Sequence, residues 1–195
     1  MEEKMKKKVI WLGLGLLTAA AMLLASCGTS SGTTSMTTTS TGTSTTGVVL
    51  TVTNGSTTKT YTLADLRALP STTGTGGTLL SGVNPCQGVA VIDLLNAVGG
   101  ITAGQSISIS AAHNYTKTIT YDQLTNSTFN YYDKDGNKVT PTTNPVLTAI
   151  YTVNGMSLEP DIVHGPVQLG ILSSQDLRTD ATYWLDNIKE IDILH

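Results

Sequence analysis

Asn84-Pro85-Cys86-Gln87-Gly88-Val89-Ala90-Val91-Ile92-Asp93-Leu94-Leu95-Asn96-Ala97-Val98-Gly99 is the stretch from which the folded part of this chain is best approached. Val91, Leu94, Leu95 and Val98 fall on one face of a helix. Gly99 stands where a helix closes its last carbonyls with a residue at positive φ.

Elements of a different period lie on both sides. Upstream, Val48 to Val52 is apolar and β-branched, a strand, and Asn54-Gly55 predicts a hairpin turn. Lys59-Thr60-Tyr61 returns antiparallel. Thr62, with Asp65 three residues on, has the form of a capping box. It opens a short helix whose apolar face is Leu63, Leu66 and Leu69 and which Pro70 stops. Residues 71–82 are expected to be a Gly/Thr-rich loop with a brief Leu79-Leu80.

Downstream, Ile107 and Ile109 alternate with serines, a half-buried strand. His113-Asn114 precede Tyr115 at its turn. Thr116 to Thr120 followed by Leu124 repeats the pattern of Thr58 to Thr62 followed by Leu66, with Gln123 in the place of Asp65. The match is too short for a duplicated domain and predicts the same strand-to-capped-helix step used twice. Phe129 to Tyr132 and Lys138-Val139 flank Asp133-Lys134-Asp135-Gly136-Asn137. A calcium loop there would need Gly at Lys138 and Glu at Asn144, so the run is read as a hairpin turn. Val146 to Val153 is a strand turned by Asn154-Gly155. Gly165 to Leu172 is a buried strand entered through a rigid turn, and Trp184 precedes the period-2 strand Asn187 to Leu194. Many strands with a few short helices in irregular order argue an α+β fold with mixed β-sheets.

The N-terminal quarter has another character. Lys4, Lys6, Lys7 and Lys8 precede Val9 to Leu24, a charge-free run of 16 residues. That is short for a spanning helix, which needs about 20 apolar residues, and it has the form of a secretory signal. Leu24-Ala25-Ser26-Cys27 closes the run and resembles the bacterial lipobox. The resemblance implies residues 1–26 as a lipoprotein signal peptide and a diacylglycerol on the Cys27 thiol. Two or more acyl chains anchor stably where one does not, at about 0.8 kcal/mol per buried CH₂. Residues 28–47 are 10 Thr, 5 Ser, 4 Gly and Met36, a composition that cannot form a core. With Cys27 they are expected to form a disordered linker, 27–47, spanning about 25 Å on average. The working domain is then 48–195, meeting its partners in the cell envelope, outside the cytoplasm.

From Cys27 onward there are 7 basic and 12 acidic residues, a formal net charge of −5. That balance is a poor match for nucleic acid, which needs a basic footprint. It also gives no electrostatic attraction to an anionic bilayer, so membrane association falls to the anchor. With Cys27 acylated, Cys86 has no partner for a disulfide. A domain of this size manages without one.

Four segments together resemble the sulfite-oxidase-type molybdopterin-binding fold. They are Tyr61-Thr62-Leu63-Ala64-Asp65-Leu66, Gly88-Val89-Ala90-Val91-Ile92-Asp93-Leu94-Leu95, Asn154-Gly155-Met156-Ser157-Leu158 leading to Gly165-Pro166-Val167-Gln168-Leu169, and Trp184 with Ile188-Lys189-Glu190-Ile191. The resemblance implies that fold for nearly all of 48–195, and molybdopterin as a possible cofactor. Catalytic members of that family hold molybdenum through a cysteine thiolate upstream of the Gly-Val helix. Here residues 71–83 contain no Cys, and Cys86 sits two residues before Gly88. The family strand that carries a basic side chain has Gln168 instead. Pterin phosphate and an anionic substrate call for cations, and the arginines from residue 48 onward are Arg67 and Arg178.

Cys86 could ligate a soft metal as thiolate, or serve as the small buried hydrophobe that free Cys usually is. His113, Asn114, Tyr115, His164 and Gln168 complete the candidate pocket; two His without clustered ligand spacing make a weak metal case, against the plain reading as surface-loop residues. Two functions stay open. One is a tethered binding or interaction module, for a small ligand or an envelope protein, on a scaffold that lacks the metal-ligand Cys. The other is a molybdopterin-dependent oxidoreductase or a subunit of one.

Overall fold

The computed structural model describes residues 47–158 and 165–195. The expected signal, the expected lipobox with Cys27, the expected linker up to residue 46, and His164 lie outside the described residues.

Two sheets carry the domain. The first has the order β2-β1-β13-β5-β6. Its strands are β1 (Val48–Asn54), β2 (Thr57–Thr62), β5 (Ser106–Ala111), β6 (Thr116–Thr120) and β13 (Ile188–Leu194). The β1 and β13 strands pair in parallel, Val52 opposite Ile191, and the other pairs are antiparallel. Alternation explains the sheet. Leu50, Val52, Ile107, Ile109, Ile119 and Ile191 are fully buried, while the Thr and Ser between them face outward.

The second sheet has eight strands: β3 (Thr72–Thr78), β4 (Gly82–Ala90), β7 (Tyr131–Tyr132), β8 (Lys138–Val139), β9 (Val146–Val153), β10 (Met156–Ser157), β11 (Gln168–Leu172) and β12 (Arg178–Thr179). Its order is β10-β9-β4-β3-β12-β7-β8, with β11 also paired to β9. Val89, Leu147 and Leu169 from this sheet join the isoleucines of the first in one core. Three six-residue helices complete it: α1 (Leu63–Ala68), α2 (Val91–Asn96) and α3 (Tyr121–Asn126). Mixed sheets with few short helices make the fold α+β, as expected. Among the described residues no helix is long and apolar enough to cross a membrane.

The helix starts follow the sequence closely. The Asp65 N–H donates to Thr62 Oγ1 at 3.2 Å and the Thr62 N–H to Asp65 Oδ2 at 2.8 Å. Thr120 and Gln123 repeat the box, at 3.2 and 3.0 Å. The apolar face of α2 is buried throughout, and Gly99 (φ +104) closes it. The Gly100 N–H reaches Leu95 O at 2.9 Å and the Gly99 N–H reaches Asn96 O at 3.3 Å, the paired bonds of a Schellman closure.

Three expectations need correction. Residues 71–82 are not a loop: most of them form β3 and the turn into β4, in register from Thr72–Gly88 to Thr78–Gly82. Gly74, Gly76 and Gly77 hid the strand from propensity, because glycine weakens strands where nothing needs its space. Here something does. A Cβ on Gly74 would meet Ser173 O at 2.7 Å, and one on Gly76 would meet Ile171 O at 2.5 Å. The second correction is one residue wide. Asn154-Gly155 forms a two-residue turn with both φ positive (+51, +74), as predicted. The first hairpin instead turns at Gly55-Ser56, since Asn54 still pairs with Thr57. The Asn54 side chain is committed elsewhere, donating to Val98 O at 3.1 Å and thereby tying β1 to the end of α2.

The last strand is also not strictly alternating. A register shift between Ile188 and Glu190 spaces the buried residues as Ile188, Ile191 and Ile193.

Candidate functional site

Trp184 is the centre of the site, and glycine makes its seat. A Cβ on Gly76 would lie 2.8 Å from Trp184 Cη2, and one on Gly170 would lie 2.6 Å from Cζ3. The six-membered ring of the indole therefore occupies the room that two missing side chains leave on neighbouring strands. Its other edge is tied down: Nε1 donates to Thr179 Oγ1 at 2.8 Å, and the backbone N–H donates to Ala181 O at 3.0 Å. A half-buried indole seated in this way, with its N–H satisfied, is a fixed wall.

Two clefts meet at this wall, sharing Ala181, Trp184 and Asp186. The first, of about 580 Å³, is lined also by Ala111, Ala112, His113, Tyr115, Thr182 and Leu185. The second, of about 480 Å³, runs along β3 and β4 past Gly76, Gly77, Asn84 and Cys86 to Gln168. Both volumes are in the range of small-molecule sites.

The predicted site residues divide between the two. His113 and Tyr115 line the first cleft. They sit around a 3₁₀ turn (Ala112–Asn114) in which His113 and Asn114 both have positive φ, +58 and +60. The turn is pinned where the Ala111 N–H donates to Tyr115 O at 2.8 Å and the Ala112 N–H to Asn187 O at 3.1 Å. Asn114 is exposed and lines neither cleft. Cys86 and Gln168 line the second cleft, so the six candidates do not form one cluster. Trp184, Asp186 and Ala181, which join the clefts, were not among them. A tryptophan followed by an acid two residues on, in a chain with 5% aromatic residues, was the signal available.

The chemistry of the walls is largely uncharged. Cys86 lies mid-strand in β4, buried, with Sγ donating to Asn84 O at 3.4 Å. Burial pushes its thiol up to about 11, so it stays protonated at neutral pH. It packs with Ile150 and Leu172, with Trp184 against the same cluster. The Gln168 Nε2 donates to Asp186 Oδ1 at 2.7 Å, holding the carboxylate in place.

These residues do not fit a molybdopterin. Its phosphate needs cations, and neither cleft has Lys or Arg among its described walls. Arg178, adjacent in sequence to Thr179, lines neither cleft, and its Nη1 is buried without a hydrogen-bond partner. Cys86 sits buried in mid-strand, its Sγ turned to Asn84 O. Among the described residues no group of three or more His, Cys, Asp or Glu could hold a metal ion.

No family model matches the chain, and no curated protein matches it. Among solved structures it is similar to the sulfane dehydrogenase SoxCD from Paracoccus pantotrophus, at 16% sequence identity with a TM-score of 0.47. The match covers 74% of this chain and 37% of that one, so the chain spans little more than a third of that protein's length.

Proposed function

We propose that this is a non-catalytic binding module, anchored outside the cytoplasm through a lipid on Cys27 and lifted from the bilayer by the 27–47 linker. Its ligand site is the pair of clefts that meet at Trp184. One observation carries the reading: the described walls of the two clefts hold no Lys or Arg. A metal-pterin oxidoreductase would need cations in that place to receive the pterin phosphate. The glycine seat under Trp184 instead builds a stiff, mostly apolar recognition surface, and pre-organised walls lower the ordering cost of binding. The lipobox and the basic, apolar leader support the location.

Elemental analysis of the purified full chain, with fluorescence detection of oxidised pterin, tests the proposal. The expected result is neither molybdenum nor pterin above trace. Stoichiometric amounts of both would overturn it in favour of a molybdopterin-dependent oxidoreductase or a subunit of one. Mass spectrometry of the N-terminal peptide tests the anchor. A diacylglyceryl-modified Cys27 is expected, and a mature chain beginning elsewhere would overturn that half.

A further inference from the structure

We infer that the Leu79–Leu80 tip of the β3–β4 hairpin dips into the bilayer that holds the lipid anchor. The inference rests on the anchoring half of the proposed function and adds a second membrane contact to it.

The tip is built to present leucine. Leu80 is 95% exposed and Leu79 46%, side by side in the turn between β3 and β4. The main chain beneath them is turned inward. Thr78, itself buried, accepts on Oγ1 from the Leu80 N–H at 3.2 Å and the Ser81 N–H at 3.0 Å, and Ser81 Oγ accepts the Thr78 N–H at 3.1 Å. A backbone group that enters hydrocarbon without a partner is costly. At Leu80 and Ser81 the Thr78 hydroxyl removes that cost.

The turn between β7 and β8 lies against the tip, with a Cβ on Gly136 3.9 Å from Leu79 Cδ2. Its charges are partnered within it. Lys134 Nζ donates to Asp135 Oδ1 at 2.8 Å, and Asp133 Oδ1 accepts from the Asp135 N–H at 2.8 Å and the Asn137 N–H at 2.9 Å. Asp133 and Asp135 balance Lys134 and Lys138, so the turn neither repels a zwitterionic headgroup layer nor selects an anionic one.

The size of the patch decides its occupant. Two leucine side chains on a turn are a small part of the ~800 Å² per partner that a stable protein interface buries. A bilayer asks for no such area when the domain is already held at its surface. Tethering makes the contact intramolecular, so an affinity too weak in free solution suffices. The 20 residues from Gly28 to Gly47 reach at most ~70 Å. That exceeds the width of a domain of this size, whose radius of gyration is about 15 Å, so the anchor allows the tip to meet the lipid.

The test uses the full chain with its lipid, in phosphatidylcholine vesicles that contain a doxyl-labelled lipid as quencher. A nitrobenzoxadiazole fluorophore is attached at Asp135→Cys, beside the tip, and in a second preparation at Ser56→Cys, in the exposed turn of the first hairpin. With Cys27 acylated and Cys86 buried, each preparation carries one label. The fluorophore at 135 is expected to be blue-shifted and quenched by the doxyl lipid, and the one at 56 to show neither effect. Leu80→Ser should weaken the quenching at 135, and Leu79→Ser with Leu80→Ser should abolish it while leaving the urea midpoint unchanged, since neither side chain is buried. Absence of quenching at 135 overturns the inference and leaves the leucines to a protein partner. Quenching that survives both substitutions, or that is equal at 56, overturns it as well. An unmodified Cys27 in the same preparation overturns the anchor and this inference together, whereas a diacylated Cys27 without quenching overturns this inference alone.

Discussion

The strands β3 and β5 are held by opposite means. In β5, Ser-Ile-Ser-Ile-Ser-Ala, every second side chain is an isoleucine with no exposure at all, and the serines face outward. Ser108 lies opposite Asp192 on one side and Thr118 on the other. Packing of what is present holds that strand. In β3, Thr-Thr-Gly-Thr-Gly-Gly-Thr, the glycines let neighbours approach. A Cβ on Gly77 would sit 1.6 Å from Gly82 O, and one on Gly76 would run into Ile171 O and the Trp184 ring. Omission holds this strand, and the same omission builds the site. The difference teaches two uses of a strand in this fold: the filled one packs the core, and the emptied one makes room for Trp184.

The comparison is broken most directly by emptying the filled strand. Ile109→Ala leaves a cavity between the sheets and should cost about 4 kcal/mol, from lost transfer energy plus the void. Urea denaturation measures it, and a cost below about 1 kcal/mol would mean the β5 face is not a packed core.

The reverse experiment fills the emptied strand. Gly76→Ala puts a methyl group against Ile171 O and Trp184 Cη2, and overpacking of that kind costs about 3 kcal/mol. It should also displace the indole and weaken its hydrogen bond to Thr179, read as a red-shifted Trp184 emission. Ser108→Ala on β5, by contrast, should stay within about 0.5 kcal/mol. If Gly76→Ala were equally mild, β3 would be an ordinary weak strand and the seat would lose its meaning.

These two strands also mark what could be learned from sequence. The alternation of Ile107 and Ile109 with serines, the α2 face from Val91 to Val98 and the two Thr caps are local patterns, and the structure follows them. Their physics is contained in a few consecutive residues. The β3 strand carries no such pattern, because the reason for Gly74 and Gly76 lies about 100 residues away, at Ser173, Ile171 and Trp184, and that for Gly77 lies across the turn at Gly82 O. The site suffers in the same way. Cys86, His113, Tyr115 and Gln168 could be named one by one, but what brings them to adjoining clefts is Trp184, which reaches them only through the glycine seat. Asn114 looked equivalent to its neighbours and lines neither cleft.

The two capping boxes give a smaller and sharper test, because one leads into β3 and the other closes the β5–β6 hairpin. Thr62→Ala and Thr120→Ala should each cost about 1 kcal/mol, the usual worth of an N-cap. A larger loss for Thr62→Ala would show that β3 leans on α1 for its position; equal losses would show that its contacts with β4 and Ser173 suffice.

Their pH responses should differ even where their costs agree. The Thr62 hydroxyl and N–H hold the Asp65 carboxyl below its ordinary value of 3.8, with Lys59 adding a minor attraction. A depressed folded-state value means the stabilisation is complete above the unfolded value and is lost as pH falls through the folded one. Gln123 makes the same contacts without titrating. The stability difference between the native chain and Asp65→Gln should therefore be constant from pH 8 to about 5 and narrow in acid. Gln123→Asp should acquire the same acid dependence at the other helix. An Asp65→Gln difference that instead grows in acid would show that the carboxyl is held by its protonated form, and the equivalence of the two boxes would be lost.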